Sequence, residues 1–317
     1  MTGYLLRRVV QAVFIVIVVT MIVFGLLQLL PGGPAHAVLG SRATPAAVAA
    51  FDKANGLDNP VYVQYGIWFS HLVQGNLGYS YNQNQSVISL IGERLPKTLA
   101  LTITAVILAM VVGVTIGTVQ AIRRNRAFDY AATSVGFLFY SFPPFFLALL
   151  LIILLAVDTH LLPAQAPQAS SVWTVLSDPR ALILPVVTLA VGGVAIFSRY
   201  MRSSVIDNLL QDYVRTARAK GVGSVRLLVV HVLRNALLPV VTLIGLFLPL
   251  LLSGAVVVES VFNYPGMGLL FWNAATSRDY PTELGVTVLA GVLTVVGSLV
   301  ADILYAVLDP RVKYVSR

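Results

Sequence analysis

The sequence predicts an all-α, polytopic membrane protein with six transmembrane helices and both termini on the cytoplasmic side. Three observations lead there. Apolar residues make up 57% of the 317 residues and charged ones only 11%, with a mean hydropathy of +0.85, whereas soluble domains carry about a quarter charged residues. Six runs approach or exceed the ~20 apolar residues that cross a hydrocarbon core. The basic residues also gather in the loops and ends that a six-span path puts on one side.

The runs are 9–30, 98–119, 131–157, 181–200, 237–258 and 284–308. The first follows Arg7 and Arg8 and precedes Ala35-His36-Ala37, a signal-peptide layout. At 22 residues (9 to 30) it is longer than a secretory h-region of about 7–15, so it reads as an uncleaved anchor. Pro143-Pro144 interrupts the third run and Pro185 sits early in the fourth. Proline in a span is tolerated where neighbours satisfy the freed carbonyl, so kinks are expected at both places. With the termini inside, 15 of the 21 Lys and Arg fall inside, and Arg42, Lys53, Arg94, Lys97, Arg180 and Arg278 fall outside. Short basic loops on the cytoplasmic side are the usual bias, and 120–130 holds three arginines against one aspartate. The formal charge of +8 is thereby explained without nucleic acid.

The chain divides into an end plus first span (1–30), an extracytoplasmic segment (31–97), a five-helix core (98–308) with a polar cytoplasmic loop at 202–234, and a tail (309–317). The outer segment opens on Pro31-Gly32-Gly33-Pro34, a turn signal. Two short helices are expected after it, at 44–55 with Thr44 as cap and Pro45 first in the helix, and at 61–73. The second carries Tyr62, Tyr65, Trp68, Phe69 and Leu72 at three-to-four spacing. That face suits either the membrane surface or a cap packed over the spans. Asn263-Tyr264-Pro265-Gly266-Met267-Gly268 reads as a type II turn.

Chemistry is absent from the motifs. There is no phosphate-binding glycine-lysine loop, no nucleophile elbow, no zinc-protease helix and no cysteine. His36, His71, His160 and His231 are scattered, so no metal site and no catalytic residue can be named. Charge in a membrane is expensive. Glu259 and Asp302 sit near the ends of runs and read as interfacial residues with nearby partners, Arg311 for Asp302. The span centres are nearly free of ionisable groups. This argues against a proton- or sodium-coupled transporter or an intramembrane enzyme acting alone, and it implies that energy enters from another chain.

Within the polar loop, Asp212-Tyr213-Val214-Arg215-Thr216-Ala217-Arg218-Ala219-Lys220-Gly221 favours a short helix. The acidic residue stands at its start, the basic one near its end, and Gly221 or Gly223 forms a left-handed cap. This stretch, with His231-Val232-Leu233-Arg234-Asn235-Ala236-Leu237-Leu238-Pro239, resembles the cytoplasmic loop of the oligopeptide/dipeptide permease family. Those proteins are membrane subunits of binding-protein-dependent ATP-binding-cassette (ABC) importers. The resemblance extends through Leu29-Leu30-Pro31-Gly32-Gly33-Pro34, Gly75-Asn76-Leu77-Gly78-Tyr79-Ser80, Arg94-Leu95-Pro96-Lys97-Thr98-Leu99, Glu259 to Gly268, Arg278-Asp279-Tyr280-Pro281 and Asp309-Pro310-Arg311. The long outer segment resembles that of the first of two paralogous permeases.

The chain departs from the family at Gly33, where Asp is commoner. It departs from the wider superfamily at Arg215-Thr216-Ala217, where the loop usually reads Glu-Ala-Ala. The resemblance implies a type I importer permease in the bacterial inner membrane. This would be a non-catalytic subunit carrying no cofactor, with ATP and magnesium held by the ATPases. Its partners would be a second permease, two ATPase subunits or domains, a solute-binding protein and the lipid bilayer. Asp212, Tyr213, Arg215, Thr216, Ala217, Arg218, Lys220 and Gly221 would form the ATPase-coupling helix. Pro265, Gly266 and Gly268 would lie where the binding protein docks. Peptides are the implied cargo, with glutathione, a nickel complex or haem as the family's other substrates.

Overall fold

The computed structural model of the chain describes residues 2–29, 33–240, 243 and 255–308. The described residues are overwhelmingly helical; the one β contact among them is an isolated antiparallel bridge between Tyr79 and Ser86. The helices are α1 Thr2–Gln28, α2 Gly33–Leu39, α3 Pro45–Ala54, α4 Val61–Val73, α5 Val87–Ile122, α6 Ala127–Ser141, α7 Pro144–Leu151, α8 Val172–Leu176, α9 Pro179–Leu209, α10 Asp212–Ala219, α11 Ser224–Arg226, α12 Leu233–Ala236, α13 at 255–261, α14 Met267–Ser277 and α15 Tyr280–Leu308. Three are long and apolar enough to span a bilayer: α5, α9 and α15 over Tyr280–Ser298. Two bent pairs, α1 with α2 and α6 with α7, raise the number of candidates to five. The expected span at 237–258 falls mostly outside the described residues, as does the tail.

The chain forms two compact units. The first comprises Met1–Thr98, Pro167–Ser177 and Asn263–Val295; the second comprises Leu99–Ala166, Asp178–Phe262 and Val296–Arg317.

In the first unit, both short helices appear where their sequence signals place them. Thr44 caps α3 by accepting from the Ala47 N–H at 3.3 Å. Helix α4 packs on α1 rather than lying free: Tyr65 and Trp68 set their rings 5.4 Å and 6.2 Å from Phe24, and the Tyr65 hydroxyl meets Thr20 at 3.1 Å. Tyr62, one turn before Tyr65, lies beyond this contact and is 78% exposed. A core of Val87, Leu90, Ile91, Met267, Leu270 and Val286 joins the starts of α5, α14 and α15. Helix α5 begins at Val87, eleven residues before the expected span, and carries Pro96 within it. The stretch 87–97, part of the extracytoplasmic segment and given no element from sequence, is helical.

The second unit packs α5, α6 and α7 against α9. Gly113 and Gly117, one helical turn apart on α5, let α9 approach closely. A Cβ built on Gly113 would stand 2.6 Å from Phe197 Cβ, and one on Gly117 would stand 2.3 Å from the Ser198 carbonyl oxygen. Small residues at four-residue spacing are how membrane helices gain contact where the hydrophobic effect gives none. At Pro143-Pro144 the helix is broken, not kinked: α6 and the helix that resumes at Pro144 diverge by 102°. Each proline disfavours the α conformation in the residue before it, so Phe142 and Pro143 are both extended, with ψ of 127° and 137°. Pro144 then opens the next helix, where its missing N–H costs nothing. Pro185, by contrast, sits inside α9 without interrupting it.

Replacing Gly117 by Leu should therefore push α5 off α9 and destabilise the protein by about 3 kcal/mol. Gly92→Ala, at a helical glycine with open space around it, should be neutral or slightly stabilising. Heat-step survival of the detergent-solubilised protein measures both. Equal survival of Gly117→Leu and wild type would contradict the close α5–α9 contact.

Candidate coupling site

Helix α10 follows α9 after a two-residue break. Gln211 occupies the N-cap with no side-chain cap bond, and Asp212 opens the helix. Its C-terminus is a Schellman motif: Gly221 N–H donates to the Arg218 carbonyl at 2.9 Å and Val222 N–H to that of Ala217 at 3.2 Å. Gly221 stands at φ +78°, in the left-handed region that glycine enters without penalty. Gly223 has φ −63° and caps the next helix instead.

Two residues one turn apart hold α10 to the body of the second unit: Val214 is 0% exposed and Ala217 is also buried. Asp212, Tyr213, Arg215, Thr216, Arg218 and Lys220 all face outward. Their mutual bonds are weak or local. Arg215 and Asp212 lie 3.6 Å apart, both well exposed, which contributes little in water. The Thr216 hydroxyl donates back to the Asp212 carbonyl at 3.0 Å, and the Tyr213 hydroxyl donates to Asn208 at 2.7 Å. The structure thus presents a short, basic, largely exposed face. Of the sequence-predicted coupling residues, Ala217 alone is turned inward.

The end of α9 that carries α10 is itself tied down. Arg202 Nε donates to Asp129 Oδ1 and a terminal nitrogen donates to Oδ2, each at 2.7 Å. Asp129 also accepts from the Asn125 N–H at 3.0 Å. The aspartate is 2% exposed and the arginine side chain 30%. Asp129 also lies in the first turn of α6, where the helix dipole favours negative charge. A bidentate, partly buried pair of this kind fixes geometry as well as adding attraction. Sequence reading counted Asp129 and Arg202 only as loop charges. A lone carboxylate among three arginines was the available signal, but its partner lies 73 residues away.

At the other candidate, the outer turn, the structure corrects the sequence reading. Pro265, Gly266 and Gly268 are buried, so they do not form an exposed docking loop. The turn is not type II either. Gly266 has φ −105° and its N–H donates to the Tyr264 carbonyl at 2.7 Å, a three-residue turn around Pro265. The Met267 N–H goes to the Thr98 hydroxyl at 2.8 Å, and the Tyr264 hydroxyl donates to the Lys97 carbonyl at 2.8 Å. Lys97, fully buried, donates its ammonium to the Ala169 carbonyl at 2.6 Å.

A second knot joins Gly75–Ser80 to Arg278–Pro281. Arg278 ends α14 in the left-handed conformation. Asp279, buried, accepts from the Ser80 hydroxyl, the Tyr81 N–H at 3.0 Å and the Thr282 hydroxyl at 2.9 Å. The Tyr280 hydroxyl donates to the Leu27 carbonyl at 2.8 Å. Burial, and then the nearby Asp279 charge, push the Tyr81 phenol up to about 12, so it stays neutral at any physiological pH. Glu259 is fully buried within the protein; the Asp302 side chain lies outside the described residues. Among the described residues, no cluster of His, Asp or Glu is placed to hold a metal ion.

Comparison with known proteins now bears on these features. The family model described as the inner membrane component of binding-protein-dependent transport systems matches residues 113–314, and the model of its N-terminal part matches 1–102. The chain belongs to this family. A Brucella suis protein provisionally named a peptide permease is 42% identical over 317 residues, covering 99% of each chain. The oligopeptide transport system permease protein AppB of Bacillus subtilis is 39% identical over 316 residues, covering 99% of this chain and all of that one. Among solved structures, the inward-facing MetNI methionine ABC transporter matches 69% of this chain and 96% of its own at a TM-score of 0.54 and 18% identity, a likeness of fold. The protein is thus an inner-membrane, multi-pass ABC importer permease with the type I fold, a transport component rather than a catalytic enzyme. Membership removes the autonomous transporter and membrane-enzyme alternatives.

Single substitution of Asp129 or Arg202 by Ala strands a charge and should cost on the order of 3 kcal/mol, with the double variant costing clearly less than the sum. Chemical unfolding of the solubilised protein reads the cycle; additive losses would show that the pair is not coupled. Gly221→Val should strain the cap by about 1–2 kcal/mol, speeding amide exchange across 212–219 by roughly tenfold. Unchanged exchange would argue against the left-handed cap.

Proposed function

We propose that this chain forms part of the pathway by which an ATP-driven importer carries peptides of the dipeptide and oligopeptide class inward. The observation that carries the cargo assignment is full-length similarity to proteins named as peptide permeases. The partners in this reading are a second, homologous permease, two ATPase subunits or domains holding ATP and magnesium, and an extracytoplasmic solute-binding protein. Both termini and the 202–234 loop lie in the cytoplasm.

Coupling runs through α10. Its basic face, made by Arg215, Arg218 and Lys220 with Tyr213 and Thr216, seats in a cleft of the ATPase, while Val214 and Ala217 fasten it to the permease. The absence of an acidic residue at Arg215 makes the complementary surface on the ATPase acidic. Closure of the ATPases on nucleotide moves α10 as a rigid body. The Asp129–Arg202 clamp passes that movement from the end of α9 to α6, as two-state coupling through rigid elements requires. On the other side, the outward surface of α3 and α4 receives the loaded binding protein, and the buried Pro265, Gly266 and Gly268 support the first unit from within. Glutathione, nickel complexes and haem are the competing cargoes; no metal-ligand cluster among the described residues favours the metal-bearing ones.

Reversing the face with Arg215→Glu and Arg218→Glu should abolish ATP-dependent peptide uptake in the reconstituted complex while leaving membrane insertion intact. Asp212→Asn should leave uptake within about twofold, since exposed charges contribute little. Normal uptake by the double reversal would refute the role of α10.

A further inference from the structure

A cavity of about 400 Å³ opens on the second unit between α6 and α9; it shares the Asp129–Arg202 clamp with the coupling scheme, which gives the rest of its lining no role. Its polar end is formed by Gln120, Asp129, Thr133, Arg199 and Arg202. Gln120 is 3% exposed and its amide nitrogen faces the Thr133 hydroxyl at 3.0 Å and the Asp129 carbonyl at 3.5 Å. A carbonyl only accepts, so the amide's orientation is set. Its oxygen is buried with no hydrogen-bond partner among the described residues. A buried acceptor left unmade costs about 1–3 kcal/mol; this oxygen is closed to solvent as it stands, so a donor from outside the chain reaches it only when the amide turns toward the cavity.

Charge adds a second requirement. Arg202 uses two of its five N–H groups on Asp129, leaving three. Arg199 has no carboxylate partner among the described residues; its guanidinium lies 5.8 Å from the ring of its neighbour Tyr200. Two guanidinium groups against one carboxylate leave the cavity a net cation, suited to an anion. The third requirement is apolar. From Asp129 to Tyr140 the lining climbs α6 for ~16 Å, and beyond Thr133 it turns to Gly136, Phe137 and Tyr140. Phe137 and Tyr140 are more than half exposed.

The geometry points to a phospholipid-binding site whose occupant offers an anionic phosphate to Arg199 and Arg202, a headgroup donor to the Gln120 oxygen, and an acyl chain to the aromatic wall. Phosphatidylethanolamine and phosphatidylglycerol meet all three requirements. A peptide fits less well, because its backbone amides would find no polar partner along the upper half except the Tyr140 hydroxyl. The orientation rests on the cytoplasmic placement of 202–234, which brings the arginines to headgroup depth and the aromatics below it. A lipid seated beside the Asp129–Arg202 clamp would stiffen the support from which α10 projects.

The test is native mass spectrometry of the assembled transporter, purified from bilayers of phosphatidylethanolamine and phosphatidylglycerol. Wild type should retain a phospholipid, and the Arg199→Ala, Gln120→Leu double variant should lose about tenfold or more of that occupancy. Excess inorganic phosphate should not displace the lipid; displacement would make this a free-anion site and overturn the proposal. Retention of lipid equally by both proteins, or by neither, would also overturn it. A photoreactive p-benzoylphenylalanine in place of Phe137, in an otherwise wild-type chain, gives a readout that does not depend on the variant's folding. Cross-linking to lipid supports the site, and cross-linking to the second permease or to transported peptide refutes it. Uptake and ATPase co-purification, measured on the same preparations, report separately on the transport reading.

Discussion

A backbone group freed where a helix ends must find a partner wherever water is excluded, and three buried side chains of this chain meet that requirement. Asp279 answers for the α14–α15 junction, taking the Tyr81 amide and two hydroxyls at once. The Thr98 hydroxyl takes the Met267 amide that opens α14. Asp129 takes the Asn125 amide where α5 gives way to α6, and then binds Arg202 with both oxygens. Each of these side chains is buried, so each bond is made at low dielectric, where it is stronger and where its loss is costlier. Between such points the helices close on one another through small residues, as at Gly113 and Gly117.

The same economy divides the labour within the second unit. Buried groups hold α9 and the start of α6 as one piece, whereas most of α10 beyond them is exposed. Only Val214 and Ala217 of α10 are buried in the chain's own packing; Asp212, Arg215 and Arg218 are exposed. In a protein with so few charged residues, this concentration of exposed cations on one eight-residue helix is what the proposed docking of α10 rests on. The Schellman cap at Gly221 stops the helix within a single residue, so the face has a fixed length and direction.

Much of the fold was legible because its signals are local. Apolar run length gave α1, α9 and α15; Thr44-Pro45 gave the start of α3; aromatic spacing gave α4 to the residue; and the acidic start and glycine end gave α10. The misses share one cause, a partner distant in sequence. Arg94, Pro96 and Lys97 look like loop residues, yet 87–97 is helical because Val87, Leu90 and Ile91 bury against Met267, Leu270 and Val286. Pro265-Gly266 matches a type II turn by composition, but the Met267 amide that would close it is taken by Thr98, 169 residues earlier. Consecutive prolines at 143 and 144 read as a kink because each alone is tolerable; together they extend two successive residues and break the helix. The stretch 212–221 was legible as a helix, while the Asp129–Arg202 pair at the end of α9 was not.

The chain contains no cysteine, so a single introduced thiol is the one thiol this subunit carries. Arg218→Cys, placed on the outward face of α10 and treated with a short bifunctional cross-linker in the assembled transporter, tests the central claim most directly. The account predicts a covalent product with the ATPase subunit, in a yield that changes when nucleotide closes the ATPases. Absence of that product, in a complex that still imports peptide, would contradict it.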